Sequence, residues 1–231
     1  RRLSEALRDD GSTTMEVRHR VAGSGDAWRW VRMHARMLRD AEGRPVRTIG
    51  SWKDVTEERR RIEQLVDQAR RDPLTKLLNQ GAAAELVAQQ LPACAERGTG
   101  ALLVADIDDF KAVNDTYGHL AGDDLLVGAA GVLAEGLRGE EGFAARIGGD
   151  EFVLFLPHAD ADRARKAGER LGRAASALQV SGRQVTLSVG VALAGADGDD
   201  YEHLFAAADR ALYDAKREGK DCTRFAGGRR P

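Results

Sequence analysis

Hydrophobic and polar positions change their period along this 231-residue chain, and the change marks a boundary. From Thr14 to Val21 apolar and polar residues alternate with period two, the pattern of a half-buried strand. The alternation returns over Trp28–Leu38 and over Val46–Trp52. Gly23-Ser-Gly-Asp26 and Asp40-Ala-Glu-Gly-Arg-Pro45 separate the runs and predict turns. Residues 1–10 are patterned as a short amphipathic helix. Together these predict a three-stranded antiparallel meander with one packed face and one wet face. Three strands and a scrap of helix are a thin core for an independent unit.

At Asp54 the period becomes helical. Asp54-Val-Thr-Glu57 has the form of a capping box, in which the Asp accepts from a free N–H and the Glu reaches back. The helix is expected to run to about Arg71, and Pro73 stops it. Val55, Ile62 and Ala69 fall seven apart, Leu65 takes the second seam position, and Glu and Arg crowd the flanks. Two readings stand: a coiled coil that joins two copies of the chain, or an amphipathic linker.

From residue 72 the pattern is that of a compact α/β unit. A helix is predicted from Gln80 to about Ala95, with Leu86 and Leu91 inward, then a buried strand over Ala101–Asp106. A helical turn at Lys111–Asp115 buries Val113, and a helix follows from Gly122 to about Leu137. A hairpin spans Phe143–Leu156, a helix 159–178 and a strand 184–193. The helix over 201–218 carries Leu204, Ala208, Ala211 and Leu212 on one stripe, and Cys222–Ala226 closes the sheet. This order, β-α-α-β-β-α-β-α-β, contains a ferredoxin-like β-α-β-β-α-β core and puts the chain in the α/β (α+β) class.

Charge and composition narrow the partners. A net charge of −2 gives no global basic field for nucleic acid. Two cysteines, Cys94 and Cys222, make no disulfide framework, so free thiols in a reducing, cytoplasmic compartment are expected. No apolar run approaches the roughly 20 residues of a membrane span, and no signal peptide is visible. The opening Arg1-Arg2-Leu3, without Met, suggests an excised fragment, with targeting or membrane segments free to lie upstream.

The chemistry gathers at Ala144-Ala-Arg-Ile-Gly-Gly-Asp-Glu-Phe-Val-Leu-Phe-Leu156. Gly148 and Gly149 are expected to supply the positive φ of a tight hairpin turn. Asp150 and Glu151 then sit together on a sheet rim, where they repel each other unless a divalent cation relieves them. By itself this is a metal site or a solvated acidic turn. The predicted core lays the strand ending in Asp106 beside this hairpin, so acids from two distant segments converge. Oxygen-only donors favour Mg²⁺, or Mn²⁺, and exclude a zinc site of Cys and His. Lys111, Lys216 and Lys220 could neutralise phosphates on such a metal, the logic of phosphoryl or nucleotidyl transfer. Plainer roles compete. Asp108, Asp109, Asp115 and Asp124 read as partly solvated loop acids. Asn114 could cap its turn, His119 could be a loop histidine, and Lys216 and Lys220 could be a wet helix end.

Two resemblances bear on these alternatives. Gly43-Arg-Pro-Val46, Gly50 and Asp54-Val-Thr-Glu57 leading into a charged helix resemble the C-terminal half of a PAS sensor domain joined to its signalling helix. The half of that fold that usually carries most of the ligand pocket is absent. Asp72-Pro-Leu-Thr75, Asp106-Ile-Asp-Asp-Phe-Lys-Ala-Val-Asn-Asp-Thr-Tyr-Gly-His119, Gly122-Asp123, Arg146-Ile-Gly-Gly-Asp-Glu-Phe152, Ser188-Val-Gly-Val191 and Ala211-Leu-Tyr-Asp-Ala-Lys-Arg-Glu-Gly-Lys220 resemble, in order, the GGDEF domain of diguanylate cyclases. The implied division is 1–53 partial PAS domain, 54–71 signalling helix and 72–229 GGDEF domain.

The GGDEF resemblance implies Mg²⁺-dependent condensation of two GTP into cyclic di-GMP by a homodimer held through the 54–71 helix. A non-catalytic GTP-binding regulatory module is the alternative. It implies metal binding by Asp106, the carbonyl of Ile107, Asp150 and Glu151, with Asp150 and Glu151 catalytic. Asn114 and Asp123 would read guanine, with His119 lining the pocket and a buried Asp123 left unpaired by adenine. Asp109, Phe110, Lys111, Lys216 and Lys220 would hold the triphosphate, and Gly148 and Gly149 would admit the nucleotide. The chain departs from the pattern in places. Gln80 replaces an Arg that could pair with Asp72, Lys220 replaces a bidentate Arg, and Gly139 and Gly142 occupy the places of the inhibitory Arg-x-x-Asp, so product inhibition through that site is not expected.

Overall fold

The computed structural model describes residues 12–20, 28–137 and 140–228. The helix expected at 1–10, the turn at Gly23–Asp26, Val21, and the Arg138 and Gly139 positions lie outside them. The chain divides into two compact units, Arg1–Ala69 and Arg70–Pro231.

In the first unit β1 (Ser12–Arg20), β2 (Trp28–Arg39) and β3 (Pro45–Asp54) form an antiparallel sheet in that order. Register pairs Met15 with Met33 and Met33 with Trp52, so one face is apolar, and Met33 and Ala35 are its buried centre. The helix α1 (Thr56–Ala69) follows. Its capping box forms only in half: Asp54 accepts from the Thr56 N–H at 3.0 Å, but Glu57 pairs with Arg60 instead of reaching back. The Thr56 hydroxyl accepts from the Trp30 N–H, tying helix to sheet, and the Thr56 hydrogen bonds, with Arg29, hold Asp54 well below the usual carboxylate range. Val55 is buried within its own unit, so it cannot serve an intermolecular seam. Ile62, Leu65 and Val66 remain exposed as the apolar stripe of α1.

The second unit begins with β4 (Leu78–Asn79) and α2 (Gln80–Arg97), whose N-cap Asn79 accepts from the Ala82 N–H. Next come β5 (Ala101–Ile107), α3 (Phe110–Tyr117), α4 (His119–Gly136), β6 (Phe143–Gly148), β7 (Glu151–Leu156) and α5 (Ala161–Ala175). A small hairpin of β8 (Gln179–Val180) and β9 (Arg183–Gln184) precedes β10 (Leu187–Leu193), α6 (Tyr201–Arg217) and β11 (Thr223–Phe225). The six-stranded sheet has the order β11-β10-β5-β7-β6-β4. All seven residues of β5 are buried, because helices cover both faces. Ala101, Leu103, Ala105 and Ile107 pack with α3, α4 and α5; Leu102 and Val104 pack with α2 and α6. The expected core is present, and its additions are β4 and the β8–β9 hairpin, which shortens both the predicted helix at 159–178 and the predicted strand at 184–193. No helix of the described residues is long and apolar enough to cross a membrane.

Candidate active site

The site forms where β5 and β7 end. Antiparallel register puts Asp106 directly opposite Glu151, and the Ile107 N–H donates to the Asp150 carbonyl at 3.4 Å. The three acids Asp106, Asp150 and Glu151 therefore share one rim, as the hairpin pattern predicts. The Asp106 side chain is only 8% exposed, and Lys216 Nζ lies 2.7 Å from its Oδ2. Burial, and then the nearby Asp150 and Glu151 charges, push its pKa up to about 6 against the pull of Lys216.

The donor set fits a hard divalent cation: every ligand atom is oxygen, and the buried negative charge already draws a lysine onto it. Among the described residues no three acids or histidines stand close enough to make a finished metal site.

The turn corrects one expectation. Only Gly149 takes a positive φ, +42°; Gly148 closes β6 without one. A side chain at either position would meet open space within the chain, so the bare backbone here leaves room for a ligand. Arg146 holds the turn: its Nε and a terminal nitrogen both donate to the Gly149 carbonyl, at 2.9 and 2.8 Å. Its other terminal nitrogen reaches Asp72 Oδ1 at 3.3 Å. Asp72 also accepts from the backbone and hydroxyl of Thr75. Burial raises its pKa, but these donors outweigh it and hold Asp72 below its ordinary value. Asp72 thus finds its arginine in β6, and the Gln80 substitution removes nothing it needs. The pairing of Arg146 with Asp72 at the turn is not among the expectations from sequence; the available signal is their presence in the two flanking motifs.

The α3–α4 region gathers the second group. Asn114 Oδ1 is buried and has no hydrogen-bond partner, so Asn114 does not cap its turn. A side chain at residue 122 would run into that oxygen, so the glycine lets the Asn114 amide keep its place. An orphaned buried acceptor costs about 1–3 kcal/mol and invites a donor from a ligand. His119 and Asp123 lie four apart on α4, hence on one face, and both are exposed. Asp123 is exposed and is not the buried carboxylate expected from sequence: α3 covers its neighbour Gly122 but not Asp123 itself.

Asp109 precedes α3 in a left-handed conformation, φ 58°, and its carboxylate caps no amide. It accepts instead from Lys220 Nζ at 2.7 Å, and the pairing raises the lysine pKa. Phe110 is half-buried and opens α3; Lys111 is exposed. Each lysine is placed on an acid at the end of β5: Lys216 on the buried Asp106, and Lys220, past the end of α6, on the exposed Asp109. Asp108 contradicts the solvated-loop reading outright, being 7% exposed and fully hydrogen-bonded.

Residues 69–222 match the family described as diguanylate cyclase, GGDEF domain. The chain belongs to that family. It is 40% identical over 165 residues to the diguanylate cyclase DgcP of Pseudomonas aeruginosa, covering 69% of this chain and 24% of that protein. It is 33% identical over 155 residues to the diguanylate cyclase DosC of Escherichia coli, covering 65% of this chain and 34% of DosC. The chain thus spans about a quarter to a third of the length of these relatives. Among solved structures it resembles the coiled coil and GGDEF domain of DgcB from Caulobacter crescentus in complex with c-di-GMP. The TM-score is 0.67 at 30% identity, over 74% of this chain and 93% of that one.

Proposed function

We propose that residues 72–229 are a diguanylate cyclase domain that condenses two GTP into cyclic di-GMP and releases two pyrophosphates. The observation that carries this reading is Asp106 facing Glu151 beside the Gly148–Gly149 turn, in a chain of the GGDEF family. In each half-reaction a 3′-oxygen bonds to the α-phosphorus of the other GTP, the bond to pyrophosphate breaks, and the hydroxyl proton leaves. Asp150, at the turn beside the exposed glycines, is the group suited to take that proton, with Glu151 supporting it. Mg²⁺ or Mn²⁺ on Asp106, the Ile107 carbonyl, Asp150 and Glu151 would supply charge neutralisation at the phosphates. Lys216 and Lys220 leave their acids to pair with the triphosphate, with the backbone at Asp109 and Phe110 and with Lys111 beside them. Asn114 and Asp123 take guanine, the orphaned Asn114 oxygen accepting a base N–H, with His119 at the pocket wall. Two copies must face each other, and the exposed Ile62, Leu65 and Val66 stripe of α1 is the proposed contact between them. The preceding sheet reads as the C-terminal part of a PAS domain feeding this helix, and two free thiols suit a cytoplasmic setting.

Purified protein incubated with GTP and Mg²⁺, with products separated by chromatography, tests the activity. Cyclic dinucleotide is expected; its absence at concentrations where the chain dimerises leaves only a GTP-binding module. Asp150→Asn is expected to lower turnover at least about a hundredfold with an unchanged melting temperature. Ile62→Lys is expected to shift sedimentation toward monomer and to lower turnover with it; a variant that dimerises as well as the parent rules out the α1 seam.

A further inference from the structure

Asp108 is a buried carboxylate whose partners come from two segments distant from its own. Its Oδ1 accepts from the Ser188 hydroxyl at 2.7 Å, and its Oδ2 accepts from the Thr186 hydroxyl at 2.6 Å and from the Asp221 N–H at 3.1 Å. Its own N–H donates to the Thr186 carbonyl at 3.0 Å, which carries the β5–β10 ladder one residue past the strand. The side chain thus joins the end of β5, the start of β10 and the strap between α6 and β11. That strap is conformationally demanding: Gly219, Lys220 and Asp221 all have positive φ, and the latter two have side chains that disfavour it. A run of left-handed residues persists only where its surroundings determine it, and the Asp221 N–H on Asp108 is one such tie. The residue before that N–H is Lys220, and the residue after Asp108 is Asp109, the acid on which Lys220 rests.

We propose that Asp108 is a positioning residue for the triphosphate: by holding the strap against the β5 end it fixes the distance between Lys220 and the Asp109–Phe110 turn. It touches no substrate itself. This rests on the proposed GTP site and adds to it a group outside the phosphate contacts. A carboxylate in this place serves because it accepts three bonds at once, whereas an amide still accepts the strap N–H while both hydroxyls rotate to suit it.

The test is binding of guanosine and of a non-hydrolysable GTP analogue by calorimetry in Mg²⁺, using the full chain, with thermal melting alongside. Asp108→Ala is expected to weaken the analogue about tenfold, the worth of one charge-assisted hydrogen bond, and to leave guanosine unchanged. Asp108→Asn is expected to restore most of the loss. In the cyclase assay the Ala variant shows a raised KM with kcat nearly kept. If Asp108→Ala melts below the assay temperature, Thr186→Val with Ser188→Ala takes its place and the same split is expected. Equal losses for guanosine and analogue, or no loss for either, overturn the proposal. A parent chain that binds the analogue but makes no cyclic product strikes the proposed activity and leaves this test intact.

Discussion

Two strands of this molecule are opposites. β5 is buried at every residue, while β3 is exposed at every residue, with Val46, Ile49 and Trp52 among the uncovered side chains. β5 has a strand on each side and helices on both faces, so its end is fixed in space. That rigidity lets Asp106 be held buried against a lysine, at a cost only a well-determined scaffold can sustain. Among the described residues β3 pairs on one edge only, and it carries Pro45, Arg47 and Lys53, residues that discourage further pairing. The contrast separates the part of the chain that can fix chemical geometry from a part that makes no site among the described residues.

Three substitutions would break or sharpen this contrast. Leu103→Ala, at the centre of β5, is expected to destabilise the second unit by about 2–5 kcal/mol in denaturant melts, since it leaves a cavity between α-helical layers. A loss near zero would mean that β5 is not the frame of the site. Arg146→Met keeps an apolar stem but frees the Gly149 carbonyl and Asp72. It is expected to lower kcat about ten- to a hundredfold, with GTP affinity held within about threefold, because the turn is misplaced rather than lost. A change in affinity alone would assign Arg146 to binding. Trp52→Ser, on β3, is expected to shift stability by about 1 kcal/mol or less, its ring neighbour among the described residues being His19 at 6.5 Å. A large loss would show that β3 carries weight its exposure conceals.

The same contrast explains what was legible in the sequence. Long periodic segments were: the apolar run of β5, the stripe of α6 and the β6–β7 hairpin all stand where their patterns put them. β4 and the β8–β9 pair are two residues long per strand, too short to show any period, and they exist through tertiary pairing. Of the site, the convergence of Asp106 with Asp150 and Glu151 could be foreseen from strand order. The burial of Asp108 could not, because a charged residue is buried only where donors await it, and its hydroxyls lie about 80 residues away. Thr186 and Ser188, two hydroxyls on one face of an otherwise apolar strand, were the one available hint. The lysine placements are equally non-local: Lys216 and Lys220 meet their acids 110 or more residues upstream. The capping box at Asp54 forms only in half for a local reason, since Glu57 has Arg60 within reach one turn on.

The Arg146 fork has a practical corollary for anyone cutting the chain into parts. One guanidinium joins the Gly148–Gly149 turn to Asp72, and the Asn79 N–H donates to the Arg70 carbonyl. The segment that looks like a tether to the second unit is therefore part of that unit's wall. A cut at Leu74 would remove the counter-charge of the turn while leaving every acid of the site in the sequence. A cut at Ala69 would keep the domain whole.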